Sequence, residues 1–117
     1  MKMYIAVLDE VPDYMAPTLV AHAVLGYHVK VYTSLWSEHG IGNEYTELYS
    51  DWFHDSFKKC ILRVNQKEFD KISALPNVGL FHENNTLGGK KSCAVLVVDE
   101  DAPNVLKFAK LWKPKEI

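Results

Sequence analysis

Apolar positions along the chain change period several times, and each change marks an element. Met3–Leu8 is a short, nearly unbroken apolar run ending at Asp9-Glu10, the pattern of a mostly buried strand. Pro12 and Pro17 bracket a polar loop, and Pro17 suits the first turn of a helix. Ala16–His28 reads as that helix. Its small residues (Ala16, Ala21, Ala23, Gly26) predict close packing on a sheet, and its apolar stripe is Val20, Val24 and Tyr27. Val29–Tyr32 is ambiguous: β-branched and aromatic residues argue against simple continuation, but the run is short. His39-Gly40-Ile41-Gly42 is a loop. Asn43 is placed to cap a second helix, in which Tyr45, Leu48, Tyr49, Trp52 and Phe53 recur at helical spacing as core.

Lys59–Val64 alternates as a second strand, with Cys60, Leu62 and Val64 on one face and Lys59, Ile61 and Arg63 on the other. Asn65 followed by Glu68 resembles a capping box, and Phe69, Ile72 and Leu75 form the buried side of a third helix that Pro76 stops. Val78–Phe81 and Cys93–Val98 are the third and fourth strands. Asp101 is expected to cap a last helix with Val105, Phe108, Ala109 and Trp112 inward, Lys110 and Lys113 in its last turn, and Pro114 after it. The order β-α-α-β-α-β-β-α predicts an α/β fold. One mixed four-stranded sheet carries helices on both faces, in a single domain over residues 1–117.

Composition narrows the class. Hydrophobic residues make up 48% and charged residues 24% of 117 residues, ordinary values for a globular domain. The longest apolar run, Cys93–Val98, is far too short to cross a bilayer, and the N-terminus lacks a signal-peptide pattern. The expectation is a cytoplasmic protein with no membrane partner. Cys60 and Cys93 lie in strand patterns without CxxC spacing, so they read as reduced core thiols, with no metal and no cofactor implied. The charge is asymmetric. Residues 1–57 carry two lysines against eight acids, a net of −6; residues 58–117 carry eleven basic residues against seven acids, a net of +4. Arg63 is the sole arginine, which disfavours strong sequence-independent nucleic-acid binding and leaves a small phosphate-bearing ligand open.

Candidate chemistry concentrates between the third and fourth strands, in His82-Glu83-Asn84-Asn85-Thr86-Leu87-Gly88-Gly89-Lys90-Lys91. The segment is longer than a tight hairpin needs and mixes polar, glycine and basic residues on a rigid scaffold. Lys90 and Lys91 offer charge, amides near Gly88 and Gly89 offer directed donors, and Asn84, Asn85 and Thr86 offer neutral hydrogen bonds to a ligand. The plainer alternative is a charged loop whose asparagines merely tolerate left-handed geometry. The spacing is not that of a P-loop. His22, in the first helix, and His82 are candidate bases because histidine titrates near neutrality, and Asp9 is placed to orient a histidine.

Taken with Ala21-His22-Ala23 and Asn65-Gln66-Lys67-Glu68-Phe69-Asp70-Lys71-Ile72, this order of elements resembles the archaeal/eukaryotic-type peptidyl-tRNA hydrolases over nearly the whole chain. The chain is also similar to small proteins encoded by tailed bacteriophages. The resemblance implies an aminoacyl-tRNA ester hydrolase in which His22 and Thr86 match two of the family's site positions. Three positions depart from it. The loop Asp9–Tyr14 has no lysine, Leu19 stands where the family has glutamine, and His82 stands where it has aspartate. The expectation is therefore weak or absent hydrolysis. The catalytic candidates are His22, His82, Thr86 and Asp9; the ligand-binding candidates are Asn84, Asn85, Gly88, Gly89, Lys90 and Lys91. Two alternatives stay open: a non-hydrolytic module for a nucleotide, tRNA end or other small anion, and a phage factor that binds a host protein. Pairing with a second copy of the chain also stays open.

Overall fold

The computed structural model describes residues 1–36, 44–82 and 87–113. The fold builds outward from strand β1 (Lys2–Leu8). Strand β2 (Lys59–Val64) pairs with it in parallel, from Met3 opposite Lys59 to Leu8 opposite Val64. Strand β3 (Gly79–Phe81) lies at one edge of the sheet. It pairs antiparallel with β4 (Cys93–Val98), which in turn pairs antiparallel with β1. A fifth strand, β5 (Lys110–Leu111), pairs antiparallel with β2 and completes the order β3-β4-β1-β2-β5. Ile5–Leu8 and Cys93–Val97 are all at most 4% exposed, so the two central strands are covered on both faces. Helices α1 (Ala16–Trp36) and α2 (Glu44–Asp51) lie on the face of Ile5 and Ile61. Helix α3 (Gln66–Ser73) packs on β1 and β2 from the face of Leu62 and Val64, with α4 (Asn104–Lys107) beside it.

The mixed α/β class is as expected, but the sheet has five strands rather than four. The difference lies at the C-terminal end. The expected last helix over 101–112 shrinks to one turn, with Pro103 rather than Asp101 at its N-cap and Leu106 as its buried residue. Phe108, expected inward, is 73% exposed, and Val105, Ala109 and Trp112 are half-buried. Lys110 lies in a strand and not in a helical turn. Arg63 decides this outcome. Its guanidinium carbon lies 3.5 Å from the centre of the Trp112 ring, and its Nη2 donates to the Lys113 carbonyl and to Asp13 Oδ1, each at 2.9 Å. The Trp112 amide donates to the Ile61 carbonyl at 2.8 Å. These contacts draw the chain into β pairing where local periodicity favours helix, and they occupy the sole arginine.

Helix α1 runs on through Val29–Tyr32, because Val31 continues the buried flank of Leu19, Ala23 and Tyr27. The predicted stripe is thus rotated: Tyr27 is buried, but Val20 and Val24 are only half-buried. Two glycines explain the rotation. A Cβ on Gly26 would come within 2.7 Å of the Phe81 ring, and one on Gly79 within 2.7 Å of the Tyr27 ring. Helix and β3 therefore interlock, ring into glycine. The Tyr27 hydroxyl also donates to the Asn77 carbonyl at 2.9 Å.

In α2 and the turn after it, Tyr49 and Trp52 are core, as expected, while Phe53 is 41% exposed. The helix widens into a π-helical turn over Trp52–Ser56, closed by the Phe57 amide on the Trp52 carbonyl at 2.7 Å. The Trp52 indole donates to the Lys58 carbonyl at 2.7 Å and fixes the entry into β2. Asn65 and Glu68 form the full capping box at the start of α3. The loop 39–42, the Asn43 cap and the Tyr45 side chain lie outside the described residues, as does Pro114.

Both cysteines are free thiols. Cys60 on β2 and Cys93 on β4 sit on opposite sides of β1. Two strand spacings, about 9–10 Å, exceed the reach of a disulfide. Burial pushes the Cys93 thiol up to about 12, and burial also raises that of Cys60, partly offset by Lys2.

Two outcomes are expected. Gly79→Ala forces a methyl against the Tyr27 ring and lowers the unfolding free energy by about 1–3 kcal/mol, measured by urea denaturation. The second concerns alkaline pH. In the unfolded chain the thiol and phenol ionise near their ordinary values of 9.0 and 10.0, whereas Cys93 and Tyr49 in the folded chain hold their protons to about 12. Their contribution to stability is complete below pH 9 and falls as the pH rises from there towards 12. Denaturation midpoints measured across that range should decline, and Cys93 should resist Ellman's reagent in the native state.

Candidate functional site

Strands β1, β2 and β3 run one way and β4 the other. The carboxyl ends of three strands and the amino end of the fourth therefore share one rim, where open α/β sheets hold ligands. Asp9 and Glu10 leave β1 there, Asn65 leaves β2, His82 leaves β3, and Lys90-Lys91 leads into β4.

On this rim the structure brings together His82, Gly88, Gly89, Lys90 and Lys91. The Lys91 ammonium lies 3.2 Å from His82 Nδ1. An ammonium only donates, so Nδ1 accepts and the imidazole proton of this contact sits on Nε2. A Cβ on Gly89 would lie 4.0 Å from His82 Cδ2, which places the glycine turn beside the ring. Leu87, Gly88 and Gly89 turn with φ of 51°, 59° and 79°, three successive left-handed residues closed by the Lys90 amide on the Leu87 carbonyl at 3.0 Å. Gly88 has open space around it, so glycine is required there by its positive φ and not by crowding. Leu87 holds the same conformation at a steric cost of about 1 kcal/mol.

Lys90 Nζ lies 3.4 Å from Glu10 Oε1. Glu10 is the participant that sequence reasoning missed; its position at the end of β1, beside Asp9, was the available signal. The pair is solvent-exposed, so it stabilises the fold little, and its consequence is for charge: Glu10 offsets one of the two lysines.

The other candidates stand apart. The Asp9 side chain is exposed and its amide donates to the Val64 carbonyl at 2.7 Å; among the described residues its carboxylate orients no histidine. His22 lies exposed on α1, its ring edge-on to Phe81 with centroids 6.2 Å apart. Among the described residues no hydrogen bond or ring contact joins His22 to His82. Asn84, Asn85 and Thr86 lie outside the described residues. A third histidine, His28, is held structurally, with its Nδ1 2.7 Å from the Tyr49 hydroxyl and its ring against Tyr32 and Phe53. Burial pushes the Tyr49 phenol up to about 12.

Among the described residues no group of three or more His, Cys, Asp or Glu side chains is placed to hold a metal ion, and no helix is long and apolar enough to cross a membrane. The chain matches no protein-family model, and no curated protein is significantly similar to it.

The Lys91–His82 contact makes a direct prediction. Nitrogen-detected NMR should show the His82 ring as the Nε2–H tautomer, with Nδ1 shifted as an acceptor. Lys91→Ala should remove that acceptor shift while leaving the His22 resonances in place.

Proposed function

We propose that the protein is a binding module for a small anionic ligand, a nucleotide or the phosphate-bearing end of a tRNA. In this reading the fold is a divergent form of the peptidyl-tRNA hydrolase type, with hydrolysis weak or absent. One observation carries it: beside the left-handed glycine turn, His82 has its Nδ1 committed to the Lys91 ammonium, so its Nε2 is a donor. The Lys91 ammonium and the His82 N–H are then neighbouring donors on the rim, with the Lys90 ammonium, shared with Glu10, carried on the adjacent residue; an anion suits such a donor set. The same commitment argues against His82 as a general base, and Asp9 gives it no support in that role. The absence of a lysine between Asp9 and Tyr14 removes an electrostatic stabiliser of the kind worth about 10²–10³ in rate.

The test is calorimetric titration of nucleotides and short tRNA acceptor mimics. Lys90→Ala/Lys91→Ala should weaken binding about tenfold or more, and the affinity of the native protein should fall as salt rises. Glu10→Gln should act oppositely and tighten binding, because Lys90 is no longer shared with a carboxylate. Equal affinity in the native and double-lysine proteins removes the rim from the site. Peptide release from peptidyl-tRNA at the rate of an ordinary hydrolase refutes the binding-only reading.

A further inference from the structure

We infer that the protein holds a small aromatic carboxylic acid in a pocket between α1, the π-helical turn and the start of β2. The pocket has a volume of about 280 Å³. Its floor is the pair Tyr49 and Trp52, exposed by only 4% and 2%. Its walls are Val24 and Leu25 on α1 and Phe53 and Phe57 on the turn, and these two rings are 41% and 51% exposed. Aromatic faces therefore run from the core out to solvent. Polar atoms of the lining are met within the protein: His28 Nδ1 lies 2.7 Å from the Tyr49 hydroxyl, and the Trp52 indole donates to the Lys58 carbonyl at 2.7 Å. Among the described residues of the lining, Lys59 is the one lysine, arginine or carboxylate.

The backbone that builds this pocket departs from ordinary helix in two ways. Its hydrogen bonding widens to the π pattern over Trp52–Ser56, a feature that recurs at functional sites. Phe57 then takes φ 53° and ψ 13°, left-handed geometry that a bulky residue rarely adopts. Burial does not account for it, because half of Phe57 stays in solvent. What the geometry achieves is position. The Phe57 ring stands 5.2 Å from that of Trp52 and 5.7 Å from that of Phe53, and the Lys59 ammonium lies 3.3 Å from its centre. Strain held at an exposed ring beside a cavity points to a ligand.

Volume and charge choose the ligand. A cavity of about 150 Å³ accepts benzene, so one of about 280 Å³ accommodates a single or fused ring with a short arm. Rings on the ligand meet rings on the protein in edge-to-face or offset contact, which favours an aromatic body over an aliphatic one. Lys59 sets the arm. Its Nζ donates to the Phe57 carbonyl at 2.7 Å, which occupies one of its three N–H groups. Arg63 has Asp13 and Lys90 has Glu10, but among the described residues no carboxylate lies within ion-pair distance of Lys59. Lys59 also lines the groove that continues over Ile61, so it stands at the junction that an arm leaving the ring pocket reaches. A carboxylate there gains both a counter-charge and a hydrogen bond. A cationic ligand is disfavoured, because the Lys59 ammonium already stands over the Phe57 face, 5.5 Å from the centre of the Trp52 ring. The pocket lies at the amino end of β2, whereas the basic rim gathers at its carboxyl end, so the two sites are separate.

Calorimetry with phenylpropionate and indoleacetate, each beside its primary amide, tests the assignment. The native protein should bind both acids and prefer each acid to its amide by about fivefold or more. Lys59→Gln, at an exposed position that leaves the fold intact, should abolish that preference. Lys58→Gln, at a neighbouring lysine outside the lining, should leave it in place. Phe53→Ala should weaken acid and amide alike, by about tenfold. In the native complex, nuclear Overhauser contacts should join the ligand ring to Trp52 and Phe57. Absence of binding by either acid at millimolar concentration overturns the inference. So does equal affinity for acid and amide, or tighter binding of phenylethylamine, which carries the same ring and the opposite charge. Ligand contacts to His82 and Lys91 in place of Trp52 and Phe57 overturn it too, and binding of nucleotides at the rim is read in its own titration.

Discussion

The rest of the structure depends on β1 being buried on both faces and paired along both edges. Its partners run in opposite senses, β2 parallel and β4 antiparallel. A parallel neighbour cannot be reached by a tight turn, so the chain must cross over the sheet between β1 and β2, and α1, α2 and the π-helical turn make that crossing. The antiparallel neighbour brings β3 in beside it and orients β3 like β1. One rim therefore collects three strand ends, and the basic turn before β4 arrives among them. The position of the candidate site is thus a result of strand direction and needs no special device.

The local rules that were legible in the sequence are those with one short-range cause. The β1 and β4 runs, the Asn65–Glu68 cap and the Phe69/Ile72 stripe all follow from residues within a few positions of one another, and all are as expected. The departures share another origin. Helix α1 turns its buried flank towards Tyr27 and Val31 because two glycines admit rings across a gap of more than fifty positions. The C-terminal segment becomes β5 because Arg63, fifty positions away from Lys113, binds that carbonyl and stacks on Trp112. No helical period contains that information.

The candidate site was legible in part for the same reason. Glycines next to lysines after a strand advertise a turn with charge, and that turn is present as Leu87–Gly89. Convergence was not legible. His22 and Asp9 suit a catalytic group by type, yet α1 places His22 against Phe81 and β1 leaves Asp9 on the solvent side of the rim. Glu10 gained its role only through the approach of Lys90, eighty positions on. Residue chemistry sets what a group can do, and sheet direction sets which groups meet.

Helix α1 joins the two halves of this account. A crossover helix that also had to screen β2 would sit centrally over the parallel pair. Here the glycine interlock with β3 draws it to the other side, which tightens the packing behind Phe81 and leaves an open groove over the β2–β5 side among the described residues. Its lining combines Ile61, Leu111 and Trp112 with the charged Lys59. The same glycines that set the core packing thus also set which part of the sheet α1 covers.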